Sequence, residues 1–359
     1  MGAGCYAGFK VAVAGERSWT MARRGGWRRV GPRRRFRYED SRGKRITDED
    51  KLRRIEELVI PPAWRDVWIS PRPNAKLQAT GIDAAGRRQY LYHPEYRARQ
   101  EQAKYDKLVR FAEHLPDIRK AMSKDLEREE FTPEWTCALA VRLINLGWFR
   151  VGADRYTRRH RTFGITTLNK SHVSVRGNRV SFRYRGKHKV LVHTALVDAA
   201  LAEAMKALRS LEGGRRLFRY ELPDGTYCNL SNRRLNEYIR EHMGEEFTAK
   251  DFRTWGGTLI AAVAFAERDL PESEAEAKRR VAAVMRIVGE RLGNTPAVAR
   301  SSYVSPAVVE QYLDGRTIDD FRPRHLRVVG ARDIGLDQEE QALVSLLRSW
   351  RIRRSRAAA

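Results

Sequence analysis

Only three cysteines, Cys5, Cys137 and Cys228, occur in 359 residues, and no two of them form a Cys-x-x-Cys pair. Neither a zinc ribbon nor a disulfide framework is indicated, and a reducing cytosol is the matching compartment. No apolar run approaches the roughly 18 residues of a membrane span, and the segment before Met21 lacks the unbroken apolar stretch of a secretory signal. Histidine, cysteine, aspartate and glutamate nowhere stand at metal-ligand spacing, and there is neither a Gly-x-x-x-x-Gly-Lys phosphate loop nor a Ser-His-Asp order. No cofactor is therefore expected. Acids are also scarce: 45 Asp and Glu face 70 Lys and Arg, for a formal net charge of +25. Such a balance points to polyanionic partners.

What is present divides into four stretches. Residues 1–44 include an arginine-dense run from Arg23 to Arg37 with no acid between, expected to be a flexible basic extension. Residues 45–110 alternate short apolar segments with Pro61-Pro62, Pro71, Pro73, Gly81 and Gly86, which reads as a small β-rich domain followed by a charged helical linker that Pro116 interrupts. Residues 111–320 are mostly helical. Thr132-Pro133-Glu134 supplies a cap, a first-turn proline and an acid for a buried helix ending near Arg150. Residues 172–193 alternate through two tight turns, the second at Gly186-Lys187-His188, which predicts a three-stranded antiparallel sheet. Helical patterns follow at about 195–212, 232–243, 249–267, 275–292, 297–302 and 306–314. Residues 321–359 form a basic tail with a short helix whose stripe Leu343, Leu346, Leu347 and Trp350 suits packing. The fold class is α+β.

Chemistry without a metal has to come from cations and a nucleophile. Tyr303 ends the run Gly293-Asn294-Thr295-Pro296-Ala297-Val298-Ala299-Arg300-Ser301-Ser302-Tyr303. A phenol titrates near pH 10 and attacks phosphate only if cations favour the developing phenolate. Arg150 stands where a helix ends, Lys187 in a β-turn, and Arg253 in Lys250-Asp251-Phe252-Arg253-Thr254-Trp255-Gly256. Taken singly, each basic residue reads as a solvated charge and Tyr303 as a packing residue.

Taken in order, Arg150, Lys187, Arg253, Asn294 and Tyr303 resemble the active site of the type IB DNA topoisomerases, above all the compact poxvirus-like and bacterial members. The segment from Leu77 to Tyr92, LQATGIDAAGRRQYLY, resembles their amino-terminal DNA-binding segment. The resemblance covers about residues 45–320. It implies a β-rich amino-terminal domain and a helical catalytic domain bearing a three-stranded sheet, shared with tyrosine recombinases. It further implies a cytoplasmic, nucleoid-associated monomer that clamps supercoiled duplex DNA. Tyr303 would attack a backbone phosphorus to form a 3′-phosphotyrosyl link, Arg150 and Arg253 would grip the nonbridging oxygens, and Lys187, with Arg150 assisting, would protonate the departing 5′ oxygen. Poxvirus-like members carry histidine where this chain has Asn294, so here a neutral amide has to serve. Gln89, Tyr90 and Tyr92 match positions facing the major groove, and Tyr156 and Lys250 match further DNA contacts.

Two other readings stand beside this one. A tyrosine site-specific recombinase uses the same chemistry, but recombinases place histidine three residues before the second arginine, where this chain has Lys250. A nonenzymatic architectural DNA binder accounts for the charge but not for the ordered five.

Overall fold

A computed structural model describes residues 25–32, 35–128, 131–322 and 335–357, except for the side chains of 98, 101, 102 and 357. Cys5, Arg23, Arg24, Arg33 and Arg34 lie outside the described residues. The chain divides into two compact units, Met1–Lys104 and Tyr105–Ala359.

The amino-terminal unit is built on one antiparallel sheet of five strands in the order β2-β1-β3-β4-β5. They are β1 (Trp27–Val30), β2 (Arg37–Glu39), β3 (Arg65–Ile69), β4 (Leu77–Ile82) and β5 (Arg88–Tyr92), with helix α1 (Glu49–Glu57) between β2 and β3. Trp27, Ile46, Ile55, Val67, Ile69 and Ala79 form its core. The basic extension expected over residues 1–44 is thereby corrected for its described part, because β1 and β2 belong to the sheet. Arginines occupy solvent-facing positions there while Trp27 is buried, so charge hid the strand pattern. β4 and β5 meet through a turn in which Gly86 N–H donates to Asp83 O at 2.9 Å, the register pairing Thr80 with Tyr90 and Leu77 with Tyr92.

Helix α2 (Pro94–Leu126) begins in the first unit and runs on into the second. The expected break at Pro116 does not occur. An internal proline costs about 3 kcal/mol, whereas Leu108, Phe111, Ala112, Leu115, Ile118 and Met122 are all buried along this helix, the Leu, Phe, Ile and Met side chains contributing about 1.5–3 kcal/mol each.

The second unit is mostly helical: α3 (Pro133–Gly147), α4 (Asp154–His160), α5 (Ala199–Ser210), α6 (Asn232–Met243), α7 (Ala249–Ala266), α8 (Glu274–Leu292), α9 (Pro296–Ser302), α10 (Pro306–Leu313) and α11 (Gln338–Ala357). Its sheet has the order β6-β7-β8, formed by β6 (Val173–Arg176), β7 (Arg179–Arg185) and β8 (Leu191–Val197). A hairpin of β9 (Arg219–Glu221) and β10 (Tyr227–Asn229) was not foreseen. Trp135 N–H donates to the Thr132 hydroxyl at 3.2 Å, the cap that the sequence indicates. The helix expected from residue 195 starts later, because β8 pairs with β7 as far as Val197 and Asp198 then caps α5.

The carboxy-terminal helix is part of the body rather than a tail. Ala342, Leu343, Leu346 and Leu347 join the main core. Glu340, 3% exposed, receives Arg119 at 2.7 and 2.8 Å and the Trp255 indole N–H at 3.2 Å. One guanidinium through two N–H groups, together with an indole, satisfies this buried carboxylate, as burial of a charge requires.

Candidate active site

Helix ends gather Arg150, Arg253, Asn294 and Tyr303 within the second unit, and Lys187 stands on the turn between β7 and β8. Arg253, in the second turn of α7, is 5% exposed. Its Nη2 donates to the Leu292 carbonyl at 2.7 Å and its Nη1 to the Trp148 carbonyl. Trp148 closes α3 in the left-handed region, φ 49°. Leu292 is the last residue of α8, and Gly293 (φ 60°) turns the chain there, a conformation glycine adopts without steric cost. Arg150 comes to the same helix end: its Nη2 donates to Gly293 O at 3.0 Å and to Asn294 Oδ1 at 2.6 Å. Unsatisfied carbonyls at a helix carboxy-terminus attract cations. Two guanidiniums can therefore sit side by side with backbone, not carboxylates, as their acceptors.

One donor is left over. Arg253 Nε is buried and has no hydrogen-bond partner, which costs about 1–3 kcal/mol or more for a charged group. An anion placed beside it removes that penalty.

Tyr303 lies at the end of α9, its N–H bonded to Ala299 O at 3.0 Å, and the Arg253 guanidinium carbon stands 5.1 Å from its ring centroid. Burial pushes the half-buried phenol upward, but the charge and hydrogen bond of Arg253, then Arg150 and Lys187, together pull it below the ordinary tyrosine value. Arg253 itself is lowered by burial and then by Arg150. The approach of α9 to α7 depends on Gly257. A methyl group there would lie 2.8 Å from the Tyr303 carbonyl oxygen and 2.9 Å from its Cβ. Next to it the Thr258 hydroxyl is 3.1 Å from the Tyr303 carbonyl oxygen and accepts from Ser305 N–H at 3.2 Å.

Lys187 projects from the β7–β8 turn and is exposed. Asn294 uses its Oδ1 to hold Arg150, and its Nδ2 donates to Leu292 O at 3.2 Å. An amide nitrogen carries two hydrogens, so one remains for a ligand.

Beside these residues opens a cleft of about 390 Å³, lined by Arg150, Arg253, Tyr184, Gly186 and Gly293 among others, with Glu290 the one acid among its described lining residues. Tyr184 was not singled out from the sequence, although it stands three residues before Lys187 on an alternating strand. Burial pushes its phenol up to about 12, against the pull of Arg150 and Arg253. Gly257 and Thr258 were missed as well, since their role is contact between helices. No group of three or more His, Cys, Asp or Glu fit for a metal occurs among the described residues.

The five DNA-contact candidates fall on different units. Tyr90 and Tyr92 share one side of β5, their rings 6.2 Å apart and nearly parallel. Alternation turns Gln89 the other way, where its Nε2 donates to Asp83 Oδ2 at 2.8 Å. Tyr156, 45% exposed, lies on α4 under the Arg155 guanidinium, 4.6 Å from the ring centroid. Lys250 is exposed in the first turn of α7.

Residues 93–319 match the family model described as the catalytic core of eukaryotic DNA topoisomerase I, and residues 35–83 that of the bacterial DNA topoisomerase IB amino-terminal domain. DNA topoisomerase 1B of Acanthamoeba polyphaga mimivirus is 31% identical over 282 residues, covering 77% of this chain and 83% of the relative. DNA topoisomerase 1B of vaccinia virus strain Copenhagen is 24% identical over 303 residues, 79% and 91% of the two chains. DNA topoisomerase 1 beta of Arabidopsis thaliana is 26% identical over 178 residues, 48% of this chain but 18% of the plant protein.

Proposed function

Because the chain belongs to the type IB DNA topoisomerases, we propose that Tyr303 is the nucleophile with which it relaxes supercoiled duplex DNA one strand at a time. The observation that carries this assignment is the buried, unpartnered Arg253 Nε beside a phenol whose acidity Arg253 raises. A nonbridging phosphate oxygen is the kind of acceptor that this donor lacks, and the guanidinium fork suits it.

In the forward step Tyr303 Oη bonds to phosphorus and the bond from phosphorus to the 5′ oxygen breaks. The phenolic proton passes to water, and Lys187 gives a proton to the departing 5′ oxygen with Arg150 assisting. Arg150 and Arg253 take the charge that builds on the nonbridging oxygens. Asn294 fixes Arg150 through Oδ1 and offers its second Nδ2 hydrogen to the phosphate. The 5′ end then swivels, and its hydroxyl attacks the phosphotyrosine to reseal the strand. The phosphodiester bond energy is kept in the protein link, so neither ATP nor a metal enters the scheme.

In this reading the protein works as a cytoplasmic, nucleoid-associated monomer. Its amino-terminal unit contributes Gln89, Tyr90 and Tyr92 to DNA binding, and the second unit contributes Tyr156, Lys250 and the chemistry. Among the described residues no helix is long and apolar enough to cross a membrane. The deciding experiment is relaxation of supercoiled plasmid in EDTA without ATP. The wild type should relax it and form a covalent complex, whereas Tyr303→Phe should do neither yet still bind duplex. An inactive wild type, or an equally active Tyr303→Phe, defeats the assignment.

A further inference from the structure

The amino-terminal unit carries a cation and a third tyrosine in line with Tyr90 and Tyr92. Tyr92 meets Tyr96, in the first turn of α2, with ring centroids 5.5 Å apart and planes at 43°. Above Tyr96 sits Lys76, its Nζ 4.3 Å from the ring centroid. Strand pairing puts it there: Leu77 registers with Tyr92, and His93 N–H donates to the Lys76 carbonyl at 3.0 Å. The four side chains thus run continuously from the edge strand β5 across to the start of α2.

This strip is not part of the unit's core. Its hydrophobic cluster draws on Trp27, Ile46, Ile55, Val67, Ile69 and Ala79, with Tyr38 and Leu91 packed against it, but includes none of Tyr90, Tyr92 and Tyr96. Tyr90 is 42% exposed and Lys76 is exposed. No described carboxylate pairs with Lys76, and Glu95, next to Tyr96, is turned to Arg99 at 3.4 Å. A lysine held over a ring without a counter-ion keeps its ammonium fixed and available. The complementary ligand is a fixed anion lying next to flat or apolar groups, which is what a phosphate backbone with its neighbouring base edges presents.

We propose that Lys76, Tyr96, Tyr92 and Tyr90 form one recognition strip for duplex DNA, in which Lys76 binds a backbone phosphate and Tyr96 braces Tyr92 and seats the ammonium. The proposal rests on the topoisomerase reading and deepens it by adding two residues to the DNA-binding surface. Lys76 adds affinity without sequence preference, and Tyr96 acts through its neighbours as a positioning residue.

The test is equilibrium binding of a duplex by the full chain carrying Tyr303→Phe, so that no covalent complex accumulates, over a series of salt concentrations. Adding Lys76→Ala should weaken binding several-fold and reduce the slope of log affinity against log salt by about one, as loss of a single phosphate contact does. Tyr96→Ala should reproduce that loss, and Tyr96→Phe should leave affinity and slope unchanged, because the ring and not the hydroxyl carries the role. A Lys76→Ala protein with the parent's melting temperature, affinity and salt slope overturns the strip. A parent that binds no duplex, or a wild type that relaxes none, overturns instead the reading beneath it.

Discussion

Tyr303 is a weak acid under opposing influences, and the balance is measurable. Burial alone would raise its titration, while Arg253, Arg150 and Lys187 draw it below the ordinary value, which is near 10. Tyr184, the other phenol at the site, is pushed the opposite way, to about 12, so of the two Tyr303 ionises first. The tyrosinate absorbance of the wild type minus that of Tyr303→Phe should therefore show one phenol titrating below 10. Arg253→Gln removes the largest lowering influence and leaves burial less opposed, so the same difference titration should move upward. If the intact protein shows Tyr303 at or above the ordinary value, the cations do not activate it. The Asn294 amide already holds Arg150 at 2.6 Å, a positioning role that a histidine would fill with a different geometry.

At the scale of elements, the contact between α7 and α9 decides where the phenol stands. α7 keeps glycine at both 256 and 257 in its interior, although each glycine costs about 0.5–1 kcal/mol relative to alanine in a helix. Gly257 is explained by the Tyr303 backbone pressed against it. Gly257→Ala should consequently displace the nucleophile and slow single-turnover cleavage about 100-fold, the scale of a displacement near 1 Å, while noncovalent duplex affinity stays the same. An unchanged cleavage rate would show that α9 yields freely. Elements of this kind differ in how far the sequence discloses them. The cap at Thr132-Pro133 and the alternation from Val173 are local patterns, and the structure bears them out. β1 and β2 were hidden because arginine occupies their outer positions, and α2 runs through Pro116 because burial on both sides of it outweighs the lost hydrogen bond. The carbonyls of Trp148 and Leu292, which hold Arg253, are backbone atoms present at every residue. Only the turn of the chain makes them special, so composition and spacing had no means of marking them.

For the whole molecule the net charge of +25 is unevenly placed, and from Val173 to Val197 no acid occurs. A duplex held near Lys187 thus meets a sheet with no charge of its own sign, and association should be fast at low salt. The turn that joins β7 to β8 has a further property. Lys187, His188 and Lys189 are exposed, and His188 and Lys189 both adopt left-handed backbone, φ 60° and 61°, which costs non-glycine residues about 1–2 kcal/mol each. A strained, solvent-facing stretch opens readily. To trypsin, which cuts after lysine, it is an accessible bond in the free protein and a shielded one once DNA lies across it. Brief digestion followed by fragment masses should find cuts after Lys187 and Lys189, suppressed by duplex in the wild type and in Tyr303→Phe alike. Cutting that ignores saturating DNA would remove this turn from the interface. The short turn to which the proposal gives the proton donor would thus double as a footprint of occupancy that can be followed without any chemistry on the DNA.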